Sequence, residues 1–151
     1  MFLKTWRADV LTQISGSGTV RVPLYGHVLC AGFPSPAQDY IEEQVELPRW
    51  MAPNPAFTFL FKVGGYSMIK ARIFPGDLLI VDRSITPANR HVVVVDIDGE
   101  RSVKRLMIKG GRVRFAFEND EFPPFQMSEH SEYLIFGVVL STYRRMYEAW
   151  T

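Results

Sequence analysis

The feature that most constrains this chain is a rhythm that starts near residue 56. Short runs rich in β-branched and aromatic residues follow one another, each closed by a turn signal. Residues 57–63 (FTFLFKV) end at Gly64-Gly65, and residues 78–82 (LLIVD) follow the turn Pro75-Gly76-Asp77. Residues 91–97 (HVVVVDI) and 102–108 flank Asp98-Gly99-Glu100, where Asp-Gly is a strong hairpin signal. Residues 113–117 follow Lys109-Gly110-Gly111, and a long last strand over 133–143 (YLIFGVVLSTY) is expected to bend at Gly137. Turns this frequent favour a mainly β domain of short strands, sandwich or barrel-like, over any helical class.

The first thirty residues read differently. Residues 1–31 hold Lys4, Arg7 and Arg21 against Asp9 alone, a net +2, and the remainder is net −1. Residues 15–18 (SGSG) form a flexible break. Residues 8–14 make at most two helical turns, marginal unless packed. A helix-turn-helix DNA reader needs two helices and a turn, which these residues do not supply. Next comes a stretch punctuated by Gly32, Pro34 and Pro36, then residues 39–45 (DYIEEQV), expected as a short helix between Pro36 and Pro48. The expected organisation is an N-terminal arm over 1–31 and a β-rich domain over 32–151, with 32–55 as a loop and short-helix lead-in.

Composition excludes several classes. With 151 residues, 47% hydrophobic and 22% charged, the chain is one ordinary globular domain. A net charge of +1 gives no general electrostatic reason to bind nucleic acid or an anionic membrane. Cys30 is the single cysteine, so an intrachain disulfide and a cysteine-based zinc site are excluded. His27, His91 and His130 lie far apart and make no metal-ligand spacing. No cofactor is implied. No apolar run is long enough for a membrane span, and the N-terminus lacks the core of a secretory signal, so a reduced cytoplasmic protein is expected.

Ser67 stands in Gly64-Gly65-Tyr66-Ser67-Met68, just after a strand. It reads either as a turn serine or as a nucleophile, because glycine lets backbone approach a substrate and leaves N–H groups to hold an oxyanion. A serine nucleophile needs a base. His91 opens a strand beside a turn and His130 lies in a polar stretch, which supports a histidine triad poorly. Lysine is the alternative base, and it acts only when desolvation lowers its pKa. Lys104 shares a strand face with Leu106 and Ile108 by the period of two, so it reads either as a partly buried lysine or as an ordinary outward one.

Gly65-Tyr66-Ser67-Met68-Ile69, Pro75 to Asp82, Asp98-Gly99-Glu100 and Val103-Lys104-Arg105-Leu106 resemble, in order and spacing, the LexA/UmuD family of self-cleaving Ser-Lys peptidases. Pro23-Leu24-Tyr25 and residues 32–40 (GFPSPAQDY) resemble the UmuD branch, accessory subunits of Y-family translesion polymerases. The resemblance spans roughly residues 22–143. It implies a curved β-rich peptidase domain with a flexible N-terminal arm, Ser67 as nucleophile and Lys104 as general base. It places the scissile bond between Ala31 and Gly32, one residue after Cys30. Tyr66 stands where the family often has an acidic residue. The implied function is removal of the protein's own arm in the SOS response, promoted by a RecA filament on single-stranded DNA. The implied partners are a second copy of the chain and a UmuC-like polymerase, with no direct specific DNA binding and no membrane. A LexA-like transcriptional repressor and a non-cleaving polymerase accessory factor are the alternatives.

Overall fold

The computed structural model describes residues 18–29, 35–36 and 41–147. The strands are β1 (Thr19–Leu29), β2 (Ser35–Pro36), β3 (Ile41–Pro48), β4 (Thr58–Val63), β5 (Leu78–Asp82), β6 (Val92–Ile97), β7 (Glu100–Lys109), β8 (Arg112–Ala116) and β9 (Tyr133–Tyr143). They form one mixed sheet in the order β2-β7-β6-β9-β5-β4-β1-β3, with β8 paired to β7. Only short 3-10 turns interrupt the strands among the described residues. The expected mainly β class is therefore realised as one open sheet, without closure into a barrel.

The core follows from strand alternation. Val93, Val95 and Ile97 of β6 join a cluster with Leu106, Phe115 and Val138, whereas Val94 joins Phe61, Leu79, Val81, Val103 and Phe136 in another. Successive side chains point to opposite faces, so a near-continuous apolar run marks a strand covered on both sides. Tyr25 brings β1 into the Phe61 cluster, with its ring 4.8 Å from that of Phe61.

The turns behave as their residues require. Asp98 (φ 51°) and Gly99 (φ 82°) are both left-handed, the backbone of a tight hairpin whose twist matches the strands. At Gly137 a Cβ would lie 2.7 Å from Val81 Cγ1 and 3.1 Å from the Asp82 carbonyl oxygen, so β9 approaches β5 only because that position is glycine. The register between β6 and β9 slips beside it, between Val94 and Val95.

One expectation is corrected. Residues 41–48 are strand, not part of a short helix over 39–45, and Asp39 and Tyr40 lie outside the described residues. A helix this short is marginal in water. Strand β1 supplies a full antiparallel partner, pairing Val22 with Val45 and Val20 with Leu47. Leu47 then packs with Val20, Val22, Leu24, Leu60 and Ile80.

The segment assigned to the arm contains β1. From Thr19 to Leu29 it lies between β3, to which it is antiparallel, and β4, to which it is parallel. Val22, Leu24 and Tyr25 are buried.

Candidate active site

Ser67 lies four residues beyond the end of β4, in a turn held against the chain that follows β8. The Glu118 amide donates to the Ser67 carbonyl at 2.7 Å, and the Lys70 amide donates to the Glu118 carbonyl at 2.8 Å. Asn119 Nδ2 donates to the Tyr66 carbonyl at 2.9 Å. Met68, fully buried, anchors the turn in the Phe61 cluster. Tyr66 itself is 63% exposed, so its ring is not what holds the turn. Ser67 is buried, and its Oγ has no hydrogen-bond partner. Among the described residues, the amides of Ser67 and Met68 donate to no backbone acceptor. They are the N–H groups able to receive an oxyanion.

Lys104 lies on β7, buried on the face it shares with Ser102 and Leu106. Its Nζ donates to Ser102 Oγ. The same nitrogen lies 4.5 Å from the centroid of the Phe125 ring and 5.2 Å from that of Phe117. Burial lowers the Lys104 pKa from 10.5 to about 8, against an opposing pull from Glu100. The start of β7 is fixed by Arg101, whose guanidinium makes two hydrogen bonds to Asp96 at 2.7 and 2.9 Å. A cleft of about 210 Å³, lined by Ser102, Lys104, Glu100, Phe125 and Met127 among others, opens beside the amine; Ser67 does not line it.

Both residues are thus tied to one short segment. Ser67 is hydrogen-bonded to Glu118, and Lys104 packs over Phe117, the preceding residue. No hydrogen bond joins them, because the Ser67 hydroxyl is unpartnered. His91 Nδ1 accepts the Ala88 amide at 3.1 Å and His130 is exposed, so neither histidine hydrogen-bonds to Ser67. Ala31, Gly32 and Cys30 lie outside the described residues. Sequence reasoning missed Ser102, Phe117 and Phe125. Ser102 was findable, since it stands two residues before Lys104 on one strand, whereas the rings arrive from later loops.

The Peptidase S24-like family matches residues 23–140. The chain belongs to this family. It is 39% identical to the protein ImpA of Escherichia coli over 135 residues, 89% of this chain and 91% of that one. It is 35% identical to the protein MucA of Escherichia coli over 134 residues, 88% of this chain and 91% of the relative. It is also 34% identical to the LexA repressor of Anaeromyxobacter dehalogenans over 134 residues, which make up 87% of this chain but 58% of the repressor. This S24-like protein is thereby a UmuD-like member of the LexA/UmuD family. Among its described residues no helix is long and apolar enough to cross a membrane, and no cluster of metal-ligating side chains occurs.

Proposed function

We propose that this protein is a self-cleaving Ser-Lys peptidase of the SOS response that cuts its own chain between Ala31 and Gly32. The truncated form would then act with a UmuC-like polymerase in translesion synthesis, as a cytoplasmic homodimer, after activation by a RecA filament. Arm and domain are thus two parts with different fates.

One observation carries the reading. Leu29, the last residue of β1, pairs with Val63 at the end of β4, from which the chain runs on to Ser67. Ser35 of β2 pairs with Arg101 of β7, three residues before Lys104. The proposed bond therefore belongs to the short connection between β1, which pairs with the strand leading to the nucleophile, and β2, which pairs with the strand carrying the base. Six residue steps span at most about 22 Å, which bounds how far the bond can lie from the ends of β1 and β2. Such tethering replaces much of the binding a separate substrate would need.

The chemistry follows from the side chains. Neutral Lys104 takes the Ser67 proton, and Ser67 Oγ attacks the Ala31 carbonyl carbon. The Ser67 and Met68 amides hold the oxyanion. The Gly32 amine then leaves with a proton, and water hydrolyses the ester on Ala31. A pKa of about 8 leaves roughly a tenth of the lysine neutral at pH 7. Lys104 Nζ donates to Ser102 and not to Ser67, so activation would bring the amine and the Ser67 hydroxyl together as well as deprotonate the lysine. The test is incubation of the purified chain from neutral to alkaline pH, with and without RecA filaments, followed by intact mass. A product beginning at Gly32 supports the reading. A chain that stays whole under every condition overturns it.

A further inference from the structure

The net charge of +1 conceals a concentrated cationic face. Residues 104–114 hold Lys104, Arg105, Lys109, Arg112 and Arg114 and no acidic residue. Lys104 points to the buried side of β7, and the others lie on the opposite face. Lys109 pairs across the hairpin with Arg112, and Met107 with Arg114. All four are exposed. Strand β6 pairs with β7 only as far as Arg105, and beyond it the β7 edge is met by residues 89–91 through Leu106 and Ile108. A groove of about 530 Å³ is lined by Met107, Lys109, Arg112 and Arg114. A second, of about 410 Å³, is lined by Met107, Arg105, Arg90 and Glu118.

The cations divide into two groups. Arg105 is satisfied by Glu118 at 2.7 Å and by the Arg90 carbonyl. Among the described residues, Lys109, Arg112 and Arg114 have no ion pair or side-chain hydrogen bond. Like charges directly opposite on a sheet are destabilising. Keeping edge strands from pairing needs only an occasional lysine. Three unpaired cations around one groove, with no counter-charge, are better suited to an external anion.

We infer that the outer face of the β7–β8 hairpin is a phosphate-binding surface for duplex DNA, used without sequence preference. Proteins that grip single strands add aromatic platforms for the bases, and this face has none. An acidic polypeptide competes for such cations, but Met107 is the one apolar side chain lining this groove that could anchor it. A charged, base-blind face fits the outside of a duplex, where phosphates are regular and bases are hidden. Lys109 and Arg112 face each other across the hairpin and Arg114 lies two residues along, a span of about 7 Å, the axial rise of about two phosphates on one strand. The inference is independent of peptidase activity, since these side chains lie on the far side of β7 from Lys104.

The experiment is fluorescence anisotropy of labelled short duplexes of two unrelated sequences, titrated with the full chain at several salt concentrations. Three phosphate contacts predict equal affinity for both duplexes and a slope of log affinity on log salt of about −3. The variant Lys109→Gln/Arg112→Gln/Arg114→Gln should bind at least ~10-fold more weakly, with a slope near zero. Arg112→Lys/Arg114→Lys, which keeps the charge, should bind nearly as the parent does. Arg49→Gln, beyond β3 at the other edge of the sheet, should change nothing. No binding by the parent, an unchanged slope in the triple variant, tighter binding of oligo(dT) than of duplex, or displacement of duplex by polyglutamate at equal charge would each overturn it.

Discussion

Lys104 Nζ donates its hydrogen bond to Ser102 Oγ, two residues away on the same face of β7, while the hydroxyl of Ser67 stays unpartnered. The two halves of the proposed dyad are both buried and both uncommitted to each other. Ser102 stabilises the protonated amine by accepting from it. Ser102→Ala should therefore lower the Lys104 pKa below about 8 and move the midpoint of the self-cleavage pH profile downward, by about half to one pH unit. First-order rates between pH 6 and 10 measure it; a midpoint that stays put or rises removes Ser102 from this role.

Ser67→Ala should abolish cleavage and raise stability. The Ser67 hydroxyl is buried without a partner, and an unsatisfied buried polar group costs about 1–3 kcal/mol. Removing it should gain about 1 kcal/mol in urea denaturation, since methyl fills nearly the same space. Lys104→Arg should also block cleavage, because guanidinium stays protonated at any usable pH. A Ser67→Ala chain that still loses its N-terminal segment would refute the nucleophile assignment.

Burial of Lys104 should leave a signature in stability against pH. Its pKa is about 8 in the folded chain and 10.5 as the ordinary value. Below pH 8 both states hold the proton, and the cost of burying the charge, about 3 kcal/mol, is fully present. Between about pH 8 and 10.5 the unfolded chain binds more protons, so stability rises with pH. Lys104→Met should thus be more stable than the parent at pH 7 by up to about 3 kcal/mol. That gap should close toward pH 10. Paired urea titrations at both pH values check it, and a gap that does not shrink contradicts the assignment of burial as the cause.

A chain beginning at Gly32 holds 120 of the 151 residues and lacks β1. Strand β3 then loses its partner, and Leu47, Leu60 and Ile80 lose the side chains of Val20, Val22 and Leu24. Each fully buried aliphatic side chain contributes roughly 1.5–3 kcal/mol. A fragment beginning at Gly32 should therefore unfold at distinctly lower urea than the whole chain, by about 4 kcal/mol or more. It should also self-associate through the freed edge of β4. Equal urea midpoints for fragment and whole chain would show that β1 is dispensable to the sheet.

Local chemistry in the sequence determined much of this protein. The Asp98-Gly99 hairpin was legible because a two-residue turn of that kind needs left-handed backbone, which few residues tolerate. The strands from Thr58 onward were legible because alternation and β-branching act over a few residues. The burial of Lys104 was legible only as one of two readings, from its face-mates Leu106 and Ile108. Tertiary structure decided the rest. Residues 41–48 became strand because β1 lay beside them, a pairing set by chain closure that no local propensity reports. The phenyl rings around the lysine come from residues 117 and 125, beyond the next turn and in the loop after it, so only folding shows that they meet the amine. The cationic groove was likewise invisible in a balanced net charge, because a sum over the chain discards position. Pairing across the β7–β8 turn put Lys109 beside Arg112 and Met107 beside Arg114, turning scattered charges into one face.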